Sequence, residues 1–173
     1  MGKITFGVAN SLENRLARAD DTADWLLWSD EVKAAIEDFW KKVDAVLMGR
    51  KTWEAISKMD APLQSGVKTY LFSRSLKKSP DESVELVSTD AARFVRTLKS
   101  QDGKDICCMG GGDFARSLFE ADLIDELSLN IHPLLLGSGP PLFPELSRQI
   151  DLKLVECRTL EHGCVSVTYR IKN

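Results

Sequence analysis

The segment from Leu47 to Glu54 constrains the fold of this chain more than any other. An apolar run ends at Gly49, and two cations and a hydroxyl follow directly at Arg50, Lys51 and Thr52. This pattern predicts a strand whose C-terminal end leads into the N-terminus of a helix. Backbone N–H groups at such a terminus are unpaired and carry partial positive charge, so the segment favours an anion. A solvated, basic helix start without function is the alternative that these eight residues leave open.

The length and charge of the chain narrow the class of protein. Its 173 residues are enough for one sizeable core, and we expect residues 1–173 to form a single domain. The formal net charge of -3 gives no general attraction to nucleic acid or to anionic membranes, so an anion site must be local. No stretch resembles a signal peptide or is long enough to span a bilayer, which predicts a cytoplasmic protein.

The cysteines and histidines do not form a metal-ligand pattern. Cys107 and Cys108 are adjacent in a strand-like run and should point to opposite faces of a sheet. Cys157, His162 and Cys164 lie around a turn, where small half-buried residues in two strands explain them better than a metal centre. We predict no metal.

Strand and helix patterns alternate along the first two-thirds of the chain. Ser29 is a candidate N-cap for an amphipathic helix, and Asp90 is a candidate N-cap for a later one. The apolar residues of the first helix recur with helical spacing at Val32, Ala35, Ile36, Phe39, Trp40 and Val43. Further helices are predicted over 52–58 and after the glycines at 110–112. Strands are predicted over 4–9, 45–48, 68–72, 84–87 and 105–109.

The last third of the chain changes character. Residues 126–132, 152–157 and 164–171 alternate apolar and polar side chains, which is typical of strands with one wetter face in an antiparallel arrangement. The whole chain is predicted to be an α/β protein with a mixed, largely parallel sheet and helices on both faces.

Three predicted strands end in similar turns, at Gly49, at Ser73-Arg74 and at Gly110-Gly111-Gly112. The C-terminal ends of parallel strands share one edge of a sheet, where ligands bind. Consecutive glycines allow the backbone to approach a diphosphate closely, although a tight turn would also explain them. Arg50 and Arg74 follow neighbouring strand ends and are suited to a terminal phosphate such as the 2′-phosphate of NADP.

The order and the residues of these segments resemble those of a known family. Residues 47–54, 71–74 and 109–112 are similar to the cofactor-binding segments of dihydrofolate reductases. Residues 9–17 resemble the Ser-Leu-Asp-Gly-Arg-Ile-Ala loop of the reductase domain of riboflavin biosynthesis, and residues 125–139 resemble its Asp-Glu-Leu…Pro-x-x-x-Gly-x-Gly signature. The resemblance implies the three-layer dihydrofolate reductase-like fold, closest to stand-alone reductases of the riboflavin type.

The resemblance also implies a cofactor and a set of site residues. The cofactor would be NADPH, and the second ligand a small heterocycle. The residues implied for the cofactor are Ala9, Gly49, Arg50, Lys51, Thr52, Ser73, Arg74, Gly110, Gly111, Gly112 and Phe114. The residues implied for the substrate side are Trp28, Ala55, Ile56 and Asn130.

Departures from the family pattern leave alternatives open. Glu13-Asn14 replaces the usual Asp-Gly, and no acid of the first helix aligns with the carboxylate that dihydrofolate reductases direct at the pterin. We expect hydride transfer to a pterin, pyrimidine or imine-like substrate. Asp30 is the candidate proton donor, and a helix-dipole acid is its alternative role. A non-catalytic NADP(H)-binding module and a genuine dihydrofolate reductase are the competing functions.

The sequence also predicts self-association. Residues 125–136 should form a strand near a sheet edge that ends in three consecutive leucines, Leu134 to Leu136, and at least one leucine should point outward. Relatives of the riboflavin type pair through this region, so a two-fold homodimer is expected. In the alternative, Phe143 and its loop cover the leucines within one chain.

Overall fold

The computed structural model of the chain describes residues 2–59 and 64–172. Within them, eight strands form one sheet: β1 (Ile4–Ser11), β2 (Val43–Gly49), β3 (Lys68–Phe72), β4 (Val84–Val87), β5 (Asp105–Met109), β6 (Glu126–His132), β7 (Leu152–Thr159) and β8 (Val165–Ile171). Four α-helices flank it: α1 (Asp30–Trp40), α2 (Arg50–Lys58), α3 (Ala91–Lys99) and α4 (Gly112–Glu120).

The sheet is parallel over most of its width. Its strand order is β4-β3-β2-β5-β1-β6-β8-β7, and every neighbouring pair from β4 to β6 is parallel. β8 runs antiparallel to β6, and β7 runs antiparallel to β8. The predicted fold class, a largely parallel sheet with antiparallel strands at the C-terminal end, is confirmed.

Alternating side chains divide the core between the two faces of the sheet. Leu47 and Cys108 belong to the cluster covered by α3 and α4, whereas Met48 and Cys107 belong to the cluster covered by α1 and α2. The adjacent cysteines therefore do point to opposite faces. Burial raises the pKa of the Cys107 thiol to about 12, so this thiol stays protonated and unreactive at neutral pH.

Local sequence signals fix the helix starts. The Ser29 hydroxyl accepts a hydrogen bond from the backbone N–H of Val32, and the Asp90 carboxylate accepts one from the N–H of Arg93. Both predicted N-caps are confirmed. The prediction that Val43 continues the first helix is wrong, because α1 ends at Trp40 and Val43 begins β2.

The predicted position of β6 in the sheet is also wrong. β8 and β7 lie outside it, so β6 is an interior strand. Leu135 is 70% exposed, which confirms that one of the three leucines points outward. Phe143 stacks on Phe6 with ring centroids 5.9 Å apart.

No helix within the described ranges has the length and apolar character needed to cross a bilayer.

Candidate functional site

A cavity of about 990 Å³ opens beside the C-terminal ends of β1 and β5, between the sheet and helices α1 and α2. Its volume lies at the upper end of the usual range for small-molecule sites, about 300–1,000 Å³. Nine of the residues singled out from the sequence line it: Ala9, Lys51, Thr52, Ala55, Ile56, Gly110, Gly111, Gly112 and Asn130.

Two helix N-termini open at this edge of the sheet. α2 begins after Gly49 and α4 begins after Gly111, and neither glycine supplies a side-chain cap. The strands that precede them, β2 and β5, are neighbours in the sheet. First-turn N–H groups of both helices are therefore available to an anion, and both helix dipoles favour negative charge there.

The three consecutive glycines have different surroundings. A Cβ on Gly110 would lie 2.1 Å from Thr52 Oγ1, and one on Gly111 would lie 2.7 Å from the backbone oxygen of Leu142. These two glycines are needed for close packing within the protein. A Cβ on Gly112 would meet nothing within 4 Å, and this residue lines the cavity. Gly112 therefore leaves space beside the α4 N-terminus for a phosphate group to approach the backbone.

Gly49 and Phe114 are packing residues rather than parts of the cavity wall. A Cβ on Gly49 would lie 3.2 Å from the Cβ of Phe114, and the Phe114 ring stacks on Phe72 at 4.5 Å. Ser73 is buried, and its Oγ accepts hydrogen bonds from the N–H groups of Ser75 and Leu76. These residues fix the ends of β2 and β3 beside the start of α4.

Arg50 and Arg74 both lie at the same edge of the sheet but outside the cavity lining. Arg50 is the first residue of α2, and its guanidinium contacts the Glu54 carboxylate at 2.7 Å. Arg74 follows β3, which neighbours β2, and its side chain is exposed. An anion held by both guanidinium groups would lie outside the cavity lining, on the β2–β3 side of this sheet edge.

The residues predicted for the substrate and the predicted proton donor Asp30 are not all at the cavity. Ala55, Ile56 and Asn130 line the cavity, whereas Trp28 is 57% exposed and Asp30 is exposed at the start of α1. The structure does not bring either of the latter to the cavity lining. Asn130 Oδ1 is buried and has no hydrogen-bond partner among the described atoms, so it is available to a ligand N–H.

Several lining residues were missed by the sequence analysis. Phe39 and Trp40 were predicted only as part of the apolar face of a helix, yet both line the cavity. Gly7 allows this placement, since a Cβ there would lie 2.9 Å from the Phe39 ring. The low burial of α1 agrees with an apolar face that meets a cavity, because Val32 is its one fully buried residue. Arg116, Ser128 and Ser166 also line the cavity and had no distinctive local pattern.

Two loops that contribute Leu16, Ala17, Pro140 and Pro141 to the cavity lining are held together by hydrogen bonds. Glu13 Oε1 accepts a hydrogen bond from Gly137 N–H, and an Arg15 guanidinium nitrogen donates to the Gly139 carbonyl. Asn14 has a φ of 62°, so it adopts the left-handed conformation that Asn tolerates and that Gly favours in the usual motif. The replacement of Asp-Gly by Glu13-Asn14 therefore keeps a turn that glycine would favour.

His132 is a buried neighbour of the site. Its Nδ1 accepts a hydrogen bond from Leu27 N–H at 3.2 Å, and its ring packs edge-on against Trp25. Burial lowers the pKa of His132, so its neutral form is favoured. The ring does not line the cavity. In the described ranges no group of three or more His, Cys, Asp or Glu side chains could hold a metal ion.

The fold of the chain is that of dihydrofolate reductase-like proteins. Dihydrofolate reductase from Enterococcus faecalis, complexed with NADP(H) and RAB-propyl, superposes with a TM-score of 0.74 at 15% identity, over 99% of this chain and 97% of that one. A protein from Shewanella sp. PV-4 that carries the name of a riboflavin biosynthesis protein superposes with a TM-score of 0.86 at 24% identity, over the full length of both chains. These likenesses establish the fold.

The sequence itself establishes the family. The profile of the RibD C-terminal domain matches residues 2–166. The uncharacterized protein YwjB of Bacillus subtilis (strain 168) is 33% identical over 154 residues, which are 88% of each chain. The chain belongs to the RibD C-terminal domain family, and the resemblance inferred from its motifs is confirmed.

Proposed function

We propose that this chain is an NADPH-dependent reductase that reduces a small heterocyclic substrate. The observation that carries the proposal is the pair of uncapped helix N-termini at Gly49 and Gly111, which open at one sheet edge beside the glycine-lined cavity. Membership of a reductase-domain family supports it. So does the fold shared with a dihydrofolate reductase whose structure contains NADP(H).

The residues present fit this cofactor. Backbone N–H groups at the start of α2 and α4 would hold the diphosphate, with Gly112 leaving room for it and Lys51 and Thr52 beside it. Arg50 and Arg74 would hold a 2′-phosphate at the mouth, where Arg50 would exchange its Glu54 partner for the phosphate. NADPH would supply the hydride, and the protein would supply position and electrostatics.

The substrate would lie on the α1 side of the cavity. Ala55, Ile56 and the aromatic residues Phe39 and Trp40 provide apolar contact for a planar ring. Asn130 Oδ1 would accept an N–H from the ring and orient it. Asp30 lies outside this lining, so we propose that the proton reaches the substrate from water rather than directly from Asp30.

The same cavity wall argues against a genuine dihydrofolate reductase. The four acids of α1 are Asp30, Glu31, Glu37 and Asp38, all exposed and all outside the lining. A pterin would find no carboxylate from α1 to pair with. A non-catalytic NADP(H)-binding module remains the competing function, and enzyme assays separate it from a reductase.

The test combines binding and turnover. We expect purified protein to bind NADPH in a fluorescence titration and to oxidise it when supplied with a pterin, a ribosylaminopyrimidine or another cyclic imine. NADPH binding without oxidation across this series would favour the binding module. Faster oxidation with dihydrofolate than with the other substrates would favour the folate enzyme. No binding would refute the proposal.

A matched pair of variants tests the phosphate approach. Gly112 and Gly66 have φ values of 74° and 76°, and a Cβ on either would meet nothing within 4 Å. Ala at either position therefore imposes the same backbone strain, but only Gly112 lines the cavity. We expect Gly112→Ala to weaken NADPH binding at least tenfold and Gly66→Ala to leave it unchanged. Equal binding by the two variants would place the diphosphate elsewhere.

A further inference from the structure

The sheet side of the cavity is a strip of small and polar residues from three adjacent strands. β1, β6 and β8 are neighbours in the sheet. Gly7 of β1 pairs with Ser128 of β6, and Ala9 pairs with Asn130. On the other side of β6, Asn130 pairs with Ser166 of β8. All five residues line the cavity, and we call this set the cavity floor.

The polar side chains of the cavity floor are open to a ligand. Gly7 and Ala9 have no side-chain atoms beyond Cβ, so they cannot cover the residues of β6 beside them. The alternate residues of β6, Leu127 and Ile131, point to the other face of the sheet and pack in or against the main core cluster. Asn130 Oδ1 is buried without a hydrogen-bond partner among the described atoms, so the floor lacks a donor that a ligand would supply.

The donors and acceptors of the floor define the ring edge that it fits. A carboxamide offers an acceptor and a donor side by side, and each serine hydroxyl can donate or accept. The complement of a carboxamide is a cyclic amide edge, –NH–C(=O)–. Its N–H would donate to Asn130 Oδ1, and its carbonyl would accept from Asn130 Nδ2. An anionic group would instead set its own oxygens against Oδ1.

The charges of the lining are distributed unevenly. Its two cations among the described residues, Lys51 and Arg116, belong to α2 and α4, whose N-termini would hold the cofactor diphosphate. Its acids there are Asp21, Glu54 and Glu145. Within the described ranges, no Lys, Arg or His of β1, β6, β8 or α1 lines the cavity. A phosphate on the substrate side would therefore lose water without gaining a counter-charge.

We propose that the substrate is an uncharged ring that presents a cyclic amide edge to the cavity floor and carries no phosphate group. This inference rests on the proposed function, because it names the substrate class of the same cavity. Asn130 determines the specificity for the ring edge. The site rejects a phosphorylated form of the same ring because the charge of that form would stay unpaired, which is a recognised route to specificity.

The first test compares two probes that differ only in a phosphate, 6-ribosylaminouracil and its 5′-phosphate. Uracil carries the cyclic amide edge. Binding to the NADP⁺-loaded protein is measured by quenching of tryptophan fluorescence, since Trp40 lines the cavity, so the readout does not depend on turnover. We expect the phosphorylated probe to bind about tenfold more weakly or worse. Equal or tighter binding of the phosphorylated probe would overturn the proposal.

The second test adds a cation to the floor. Ser166→Lys should tighten binding of the phosphorylated probe about tenfold relative to the unphosphorylated one. The matched control is Thr168→Lys. Thr168 lies two residues further along β8, on the same face and with similar burial, but it does not line the cavity. Its variant should leave the ratio of the two dissociation constants unchanged, and an equal effect of both variants would place the probe away from the floor.

The third test concerns the ring edge. Asn130→Asp keeps the size of the side chain but replaces its donor with a second acceptor and a charge. We expect it to weaken binding of 6-ribosylaminouracil about tenfold or more, while the NADPH dissociation constant stays within about threefold of wild type. Unchanged binding of the uracil probe by this variant would refute the role of Asn130.

These outcomes separate this inference from the proposed function. Absence of NADPH binding would refute the proposed function itself. NADPH binding in a protein that binds neither uracil probe would refute the cyclic amide edge and leave the reductase proposal standing. The wild-type comparison of the two probes needs no variant, so it decides the question of the phosphate even if a substitution at the floor prevents folding.

Discussion

The packing of Gly110 against Thr52 allows a sharp test of the site geometry. Gly110→Ala has two separable effects. First, Gly110 has a φ of 82°, and a non-glycine residue in this left-handed region costs about 1–2 kcal/mol. Second, the new Cβ would lie 2.1 Å from Oγ1, 2.8 Å from Cγ2 and 3.0 Å from Cβ of Thr52. Rotation about χ1 of Thr52 cannot remove contacts to all three atoms, so α2 must shift away from the end of β5.

Overpacking of this kind costs about 1–3 kcal/mol, so Gly110→Ala should destabilise the protein by about 2–5 kcal/mol in total. Gly112→Ala is the matched control, because its φ of 74° imposes the same strain while its Cβ would have no neighbour within 4 Å. It should cost only about 1–2 kcal/mol. In a domain of this size, the expected fall in Tm is about 4–20 °C for Gly110→Ala and about 2–8 °C for Gly112→Ala.

The assay is urea unfolding of wild type, both alanine variants, Thr52→Ala and the double variant Gly110→Ala/Thr52→Ala. Thr52→Ala removes Oγ1 and Cγ2, so the double variant should recover most of the steric penalty, with a coupling of about 1–3 kcal/mol. If Gly110→Ala and Gly112→Ala are equally destabilising, or if Thr52→Ala gives no recovery, the proposed contact between the end of β5 and α2 is refuted.

Three further predictions concern the cofactor, the pH dependence and a helix start. Arg50→Ala should raise the dissociation constant for NADPH about 10- to 150-fold, because a charge-assisted phosphate contact contributes about 1.5–3 kcal/mol. The dissociation constant for NADH should change little. Equal losses of affinity in titrations of both cofactors would contradict the 2′-phosphate role. Burial lowers the pKa of His132, so below about pH 6.5 the unfolded chain binds a proton that the folded chain does not, and stability falls with falling pH. His132→Asn should lose less unfolding free energy than wild type between about pH 7 and about pH 5.5, and parallel curves would disprove this contribution. Ser29→Ala removes the N-cap acceptor of Val32 N–H and should cost about 1 kcal/mol in urea unfolding, whereas Ser57→Ala, on the exposed surface of α2, should stay within about 0.5 kcal/mol of wild type.

Local signals were sufficient to predict most elements of the fold. The predicted bounds of β3, β4, β5 and β6 agree with the structure. β3, β4 and β5 are short, mainly apolar runs bounded by turn residues, and β6 alternates apolar and polar residues. Strand order was partly accessible as well: the expectation that three strand ends share one edge is confirmed by the adjacency of β3, β2 and β5. The position of β6 was not accessible, since it depends on pairing with β1 and β8, which are distant in sequence.

The charged residues of the site were harder to predict than its backbone. Glycines and helix starts can be recognised from single residues in the sequence, because the backbone conformation there requires particular residue types. The structure places them beside the cavity. The direction of a long side chain depends on its partners in space. Arg50 contacts Glu54 one helical turn away, and this i, i+4 spacing is visible in the sequence. The exchange of Glu54 for a phosphate that we propose for Arg50 has no such signal in the sequence.

Helix α1 shows why the residues on the proposed substrate side of the cavity could not be predicted from the sequence. Apolar residues at helical spacing indicate that one face of a helix avoids water, but they do not tell whether that face meets the core or a ligand cavity. Ala35, Ile36, Phe39 and Trp40 are all only partly buried and all line the cavity. The acids of α1 lie on the opposite, solvent-exposed face, which is why Asp30 does not reach the cavity. If Phe39 and Trp40 served only the core, their apolar area would be covered by protein. Its exposure toward the cavity is therefore the structural reason for assigning a planar ring to this side.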